Sequence, residues 1–240
     1  MPVAVITGAS RGLGLALADG LAERGWSLVV DARNAGPLED ARRELAECTK
    51  PGGSITALAG SVTDAAHRAA LVRAAVDLGG VDLLVNNAGV LGPSPLPALG
   101  DLGLPAYREI LEVGVVAPLA LTQLALPHLR ARDGAVINVT SDAGVEAYPG
   151  WGGYGSAKAA LEHWSHVLSA ELAESGSGVR VWWVDPGDLR TQMHQDAFPG
   201  EDISDRPLPA TVVPGFVRLV SERPPSGRYR AADLLTGVAA

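Results

Sequence analysis

The chain has 240 residues, 47% of them hydrophobic and 19% charged, and its formal net charge is −8. That length and balance can bury the core of one α/β domain and are too apolar for a disordered chain. The acidic balance speaks against a nucleic-acid or anionic-membrane binder, and no unbroken apolar run reaches the roughly 18 residues of a membrane span, so neither partner is expected.

The first apolar segment, Val3-Ala4-Val5-Ile6, follows the N-terminus with no basic or apolar signal region before it. Its β-branched composition is that of a strand buried on both faces. Thr7-Gly8-Ala9-Ser10-Arg11-Gly12-Leu13-Gly14 comes next, then a leucine- and alanine-rich helix that stops at Arg24-Gly25. Strand, glycine-rich turn and helix in that order make a site for a nucleotide pyrophosphate. Glycines let the backbone approach the phosphates, and the N–H groups of the helix start face the anion. Any tight strand-to-helix turn uses glycine too, but here the flanking elements supply the context the motif requires.

Further strands are expected at 27–30, 54–58, 81–85, 135–139 and 179–184, with helices at 37–48, 64–78, 105–129 and 155–173. The alternation implies right-handed crossovers and a Rossmann-type α/β fold, a doubly wound parallel sheet of about seven strands with helices on both faces. No linker divides the chain, so residues 1–240 are read as one domain. Cys48, the single cysteine, excludes an internal disulfide, fits a cytoplasmic location and reads as a small hydrophobe on the second helix. Asp64 reads as a helix N-cap. Residues 91–105 and 198–214 are expected as loops, and the segment from about 188 to 210, with Met193, His194 and Phe198, as a mobile lid over the substrate. A short edge strand is expected at 226–232. The five histidines are scattered, and no His/Cys cluster has ligand spacing, so no metal is expected.

After the second strand, Asp31-Ala32-Arg33-Asn34 admits two readings. An acid about 20 residues past the glycines takes ribose hydroxyls and favours NAD, whereas an arginine there accommodates the 2′-phosphate of NADP. Arg33 and Arg11 together could grip that phosphate through charge-assisted hydrogen bonds. Asn138-Val139-Thr140-Ser141 closes the fifth strand, and Tyr154-Gly155-Ser156-Ala157-Lys158 opens the following helix. Tyrosine and lysine four apart share one helix face, where the ammonium is expected to lower the phenol pKa. Ser141 can hydrogen-bond a substrate oxygen as charge develops on it.

Taken together, Gly8-x3-Gly12-x-Gly14, Asn86-Asn87-Ala88-Gly89, Ser141, Tyr154-x3-Lys158 and Asp185-Pro186-Gly187 resemble the short-chain dehydrogenase/reductases of the classical type, from end to end. The resemblance implies Tyr154 as general acid/base, Ser141 as its partner on the substrate oxygen, and Lys158 holding the cofactor ribose. It implies cofactor contacts from Gly8, Ser10, Arg11, Gly12, Leu13, Gly14, Arg33, Ser61, Val62, Asn87, Ala88, Gly89, Tyr154, Lys158, Pro186, Gly187 and Thr191. The NAD-selecting acid of the family falls at Ala32, and Arg33 where NADP-preferring relatives carry arginine, so NADP(H) is expected over NAD(H). Two departures stand out. Ser61 replaces the acid that contacts adenine, and Gly114 replaces an asparagine that supports a proton relay. A homodimer or homotetramer, built through the helix at 155–173 and the one before it, is implied by the resemblance alone. The expected activity is reduction of a ketone or aldehyde, or oxidation of the matching secondary alcohol. An imine or alkene reductase using the same pocket and a non-catalytic NADP(H) sensor are the alternatives.

Overall fold

A computed structural model describes residues 1–236. In chain order the elements are β1 (Val3–Ile6), α1 (Gly12–Ala22), β2 (Ser27–Ala32), α2 (Ala35–Cys48), β3 (Ile55–Ala59), α3 (Ala65–Asp77), β4 (Leu83–Asn86), α4 (Leu104–Leu111), α5 (Ala117–Ala131), β5 (Ala135–Val139), α6 (Gly152–Glu174), β6 (Arg180–Asp185), α7 (Gln192–Ala197), α8 (Val213–Glu222), β7 (Gly227–Arg230) and α9 (Ala231–Thr236). The seven strands form one sheet in the order β3-β2-β1-β4-β5-β6-β7, and every neighbouring pair is parallel. This is the Rossmann-type fold expected from the strand–helix alternation. Residues 237–240 of the expected single domain lie outside the described residues.

The apolar strands are continuous because the sheet is covered on both faces. Successive side chains point to opposite sides, so Ala4 and Ile6 pack with Leu17 and Leu21 of α1 and with Phe216 and Leu219 of α8. Val3 and Val5 pack on the other face with Leu71 of α3 and with Leu121, Ala125 and Leu129 of α5. Trp182 and Trp183, adjacent in β6, divide between the two cores in the same way. The strand order reverses between β1 and β4, and in such sheets ligands sit beyond the strand carboxyl ends at that switch point.

Two expectations change, and a third gains detail. The segment expected as a lid contains α7, capped by the Thr191 hydroxyl accepting from the His194 N–H. Helix α8 begins inside the stretch expected as a loop, because its Pro214 sits in the first turn, where no intrahelical N–H bond is lost. The helix expected at 105–129 is a run of 28 residues, Leu104–Ala131, made of α4, a π turn at Glu112–Val116 and α5. Although no unbroken apolar run has membrane length, this helix is long and apolar enough to cross one by length and composition. Its buried face lies against the sheet core through Leu121, Ala125 and Leu129.

Candidate active site

A cleft of about 1010 Å³ runs along the carboxyl edge of the sheet, from Arg33 and Pro37 at one end to Trp151 and His194 at the other. Its floor is the β1–α1 turn. Gly8 has φ +68°, and a Cβ there would stand 2.9 Å from the Ala88 Cα. A Cβ on Gly14 would overlap the Gly8 carbonyl oxygen. The Asn87 amide fixes the turn, donating to the carbonyls of Thr7 (2.9 Å) and Gly8 (3.1 Å), while the Thr7 hydroxyl accepts from the N–H groups of Asn87 (3.0 Å) and Ala88 (3.1 Å). Arg11 makes no side-chain cap on α1, so the helix start keeps N–H groups for an anion. The cradle therefore fits a dinucleotide pyrophosphate.

At the far end, Arg11 and Arg33 are both exposed and both line the cleft. Asp31 lines it too but is committed to the protein. Its Oδ1 accepts from the Gly8 N–H at 2.8 Å, and its Oδ2 lies 3.0 Å from Nε2 of the buried His67. Ser61 and Val62 form the wall beyond β3, and the Ser61 hydroxyl is shared with Thr63 Oγ1 at 2.8 Å. Ala88, Gly89, Pro186, Gly187 and Thr191 line the middle of the cleft. Thr191 uses an oxygen lone pair to cap α7, which leaves its proton free to donate.

The other half brings Ser141, Tyr154 and Lys158 to one cleft, from the end of β5 and the first turns of α6. Gly155 lets α6 approach this strand end, since a Cβ there would overlap the Ala143 carbonyl. Lys158 is 6% exposed, donates to the Val139 carbonyl at 2.6 Å, and stands 5.3 Å from the Tyr154 ring centroid. Burial pushes its ammonium down from the ordinary lysine value to about 8, and the Glu162 carboxylate opposes the shift. The Tyr154 phenol moves opposite to the expectation. Burial and then the carboxylates of Asp185 and Asp142 raise its pKa well above the ordinary tyrosine value, so it carries its proton at neutral pH. A phenol in that state is a proton donor.

Sequence reasoning passed over the groups that hold this half in place. Arg228 of β7 donates to both Glu162 oxygens (3.0 and 3.2 Å) and lies 3.4 Å from Asp185 Oδ2. Glu162 also accepts from the Thr140 hydroxyl at 2.7 Å. Asp142 accepts from Ser141 Oγ at 3.0 Å and from the Tyr148 hydroxyl at 3.1 Å. Behind them a buried chain links Asn86 to Asn138 (2.8 Å) and Asn138 to Ser165 (2.7 Å), tying β4, β5 and α6. On the substrate side, Trp151 meets Tyr154 edge-on at 5.7 Å and Phe198 at 5.9 Å, and Phe198 meets His194 at 4.9 Å. This aromatic row packs the end of α7 against the start of α6, and Ser94 adds a hydrogen bond of 2.6 Å to the Asp196 carbonyl.

A family model described as short chain dehydrogenase matches residues 2–202. The short chain dehydrogenase asqE of Emericella nidulans is 35% identical over 71% of the chain, which spans 64% of that relative's length. Serine 3-dehydrogenase of Rhizobium radiobacter is 30% identical, covering 96% of this chain and 92% of its own. A short chain dehydrogenase of Shigella flexneri, solved as a complex with NADP, superposes with a TM-score of 0.86 at 27% identity, covering 96% of this chain and 97% of that one.

Proposed function

Because the chain belongs to the short chain dehydrogenase family, we propose that it is an NADP(H)-dependent oxidoreductase that reduces a ketone or aldehyde. The observation that carries this reading is the convergence of Ser141, Tyr154 and a buried Lys158 on one cleft, with the Lys158 ammonium 5.3 Å from the Tyr154 ring centroid. The reduced cofactor supplies a hydride to the carbonyl carbon. Tyr154 donates its proton to the carbonyl oxygen, and the Ser141 hydroxyl, turning its one proton from Asp142 to the substrate, holds that oxygen as charge develops on it. Lys158 stabilises the phenolate left behind and holds the cofactor ribose. The same groups run in reverse for a secondary alcohol, and a preference for NADPH favours the reductive direction.

The NADP(H) preference rests on Arg11 and Arg33 lining one end of the cleft, together with the withdrawal of Asp31 into the protein. The structural relative complexed with NADP supports it. Trp151 and Met193 line the substrate end, with Phe198 packed on Trp151, and they suit a substrate with an apolar or aromatic body next to its carbonyl. A homodimer or homotetramer acting in the cytoplasm is the working assembly.

The test is nicotinamide absorbance with NADPH or NADH and a panel of ketones and aldehydes. Turnover is expected with NADPH. Tyr154→Phe should lower it at least about a hundredfold while cofactor affinity stays within about twofold. Full turnover by Tyr154→Phe would remove Tyr154 from the chemistry.

A further inference from the structure

We infer that His67 is a positioning residue for cofactor selection: it holds Asp31 away from the cofactor ribose, so that the end of β2 offers arginine rather than carboxylate. The inference rests on the proposed NADP(H) preference and names a part of it that the arginines do not supply.

Asp31 presents the problem that His67 solves. It is the penultimate residue of β2, two positions before Arg33, and it lines the cofactor cleft. A carboxylate at this strand end is suited to accept from ribose hydroxyls, and it cannot do the same for a 2′-phosphate, which has no proton to give. Yet Asp31 is 1% exposed, and neither of its oxygens is idle. One anchors the Gly8 N–H in the pyrophosphate turn. The other faces His67 Nε2 at 3.0 Å. With both oxygens held from inside the protein, the carboxylate supports the glycine turn and leaves the ribose to Arg33.

The placement of His67 is built for this contact. It lies in the first turn of α3, directed inward, and is 9% exposed. Its ring occupies the space a side chain at residue 60 would fill, because a Cβ on Gly60 would overlap His67 Nδ1. Gly60 follows β3 and itself lines the cleft. Arg68, the next residue, fixes the start of α3 by donating to the Val62 carbonyl at 2.7 Å. A glycine just past β3, a histidine of α3 and an aspartate of β2 therefore converge behind the phosphate turn.

The experiment measures dissociation constants for NADPH and NADH by fluorescence titration of the full chain, with melting temperatures for each variant. His67→Leu frees one Asp31 oxygen for a 2′-hydroxyl, and the NADPH/NADH affinity ratio should move about tenfold toward NADH. Asp31→Asn added to His67→Leu should restore the ratio, since the amide carbonyl still anchors Gly8 and no free carboxylate remains. A purely structural loss would weaken both cofactors alike and would not be rescued. A ratio within twofold of wild type in folded His67→Leu overturns the inference. Asp31→Asn alone gives a second reading that does not depend on that variant folding. Its ratio should stay near wild type, and a tenfold move toward NADPH would mean that Asp31 already addresses the ribose, which also overturns the inference. If the wild type binds NADH as tightly as NADPH, the proposed preference fails, and the ratio change in His67→Leu still decides the role of His67.

Discussion

Lys158 should make activity and stability respond to pH in opposite directions. Burial lowers its ammonium from 10.5 to about 8, and it donates a hydrogen bond to the Val139 carbonyl. In the free enzyme, kcat/KM for NADPH-dependent reduction should fall as pH rises through about 8, where the charge that steadies the Tyr154 phenolate is lost. Stability moves the other way. A lysine with a folded pKa below its unfolded value leaves the unfolded chain holding more protons between the two, so the unfolding free energy rises with pH across that window. The full shift is worth roughly 3 kcal/mol, of which about 1 kcal/mol appears between pH 7 and pH 9. Cys48 and Tyr154, whose pKa values are raised on folding, oppose this at higher pH, so the observable is the difference between wild type and Lys158→Met, in which they cancel. Urea unfolding at pH 7, 8 and 9 should show the wild type gaining about 1 kcal/mol relative to the variant. A flat difference across that range would refute the buried, depressed lysine, whatever the activity profile does.

Arg33→Ala should raise the dissociation constant for NADPH at least about tenfold and leave that for NADH nearly unchanged, since only one cofactor carries the phosphate. An equal loss for both would mean that Arg33 does not read the phosphate. Gly14→Ala should destabilise by about 1–3 kcal/mol in urea unfolding, because the added methyl overlaps the Gly8 carbonyl and the Asn87 amide. Cys48 lies 3.0 Å from Asp19 Oδ1, and burial with that carboxylate pushes its thiol up to about 12, so alkylation at pH 8 should run about a thousandfold slower than for a free thiol.

The parts of this molecule that are local in sequence are also the parts legible in it. β1, the glycine turn and α1 lie within 22 residues of the N-terminus and follow from composition and spacing alone. The parallel sheet follows from the alternation, and β5 begins and ends where its apolar run does. What escapes is set by residues far apart in the chain. The Asp31–His67 contact spans 36 residues and exists because β2, β3 and the start of α3 meet behind the cleft. Arg228 reaches Glu162 across 66 residues because β7 pairs beside β6. The ionisation of Tyr154 reverses direction for the same reason. An i, i+4 lysine is visible in the sequence, whereas burial and the carboxylates of Asp142 and Asp185 appear only once the strand ends are assembled. Helix α8 escapes for a local reason, because Pro214 and Gly215 spell a loop unless they fall in a first turn.

The same distinction bears on Gly114, the departure that leaves room for a sensor in place of an enzyme. Seen as a lost asparagine, it removes a side chain from the proton path. In the folded chain it lies in the π turn between α4 and α5, where a Cβ would stand 3.3 Å from the Cβ of Ala157, the residue preceding Lys158. The glycine thus lets two helices close next to the lysine, and π turns of this kind occur often at functional sites. A sensor would need the cofactor half of the cleft, with its glycine turn and arginines. It would have no use for the ion network that joins Arg228, Glu162, Thr140 and Asp185 behind Ser141. The enzyme reading gives each of those groups work: Lys158 carries the charge, Glu162 keeps it charged, and Arg228 keeps Glu162 and Asp185 from facing one another unpaired. Gly114 then marks tighter packing around the reaction and not its loss.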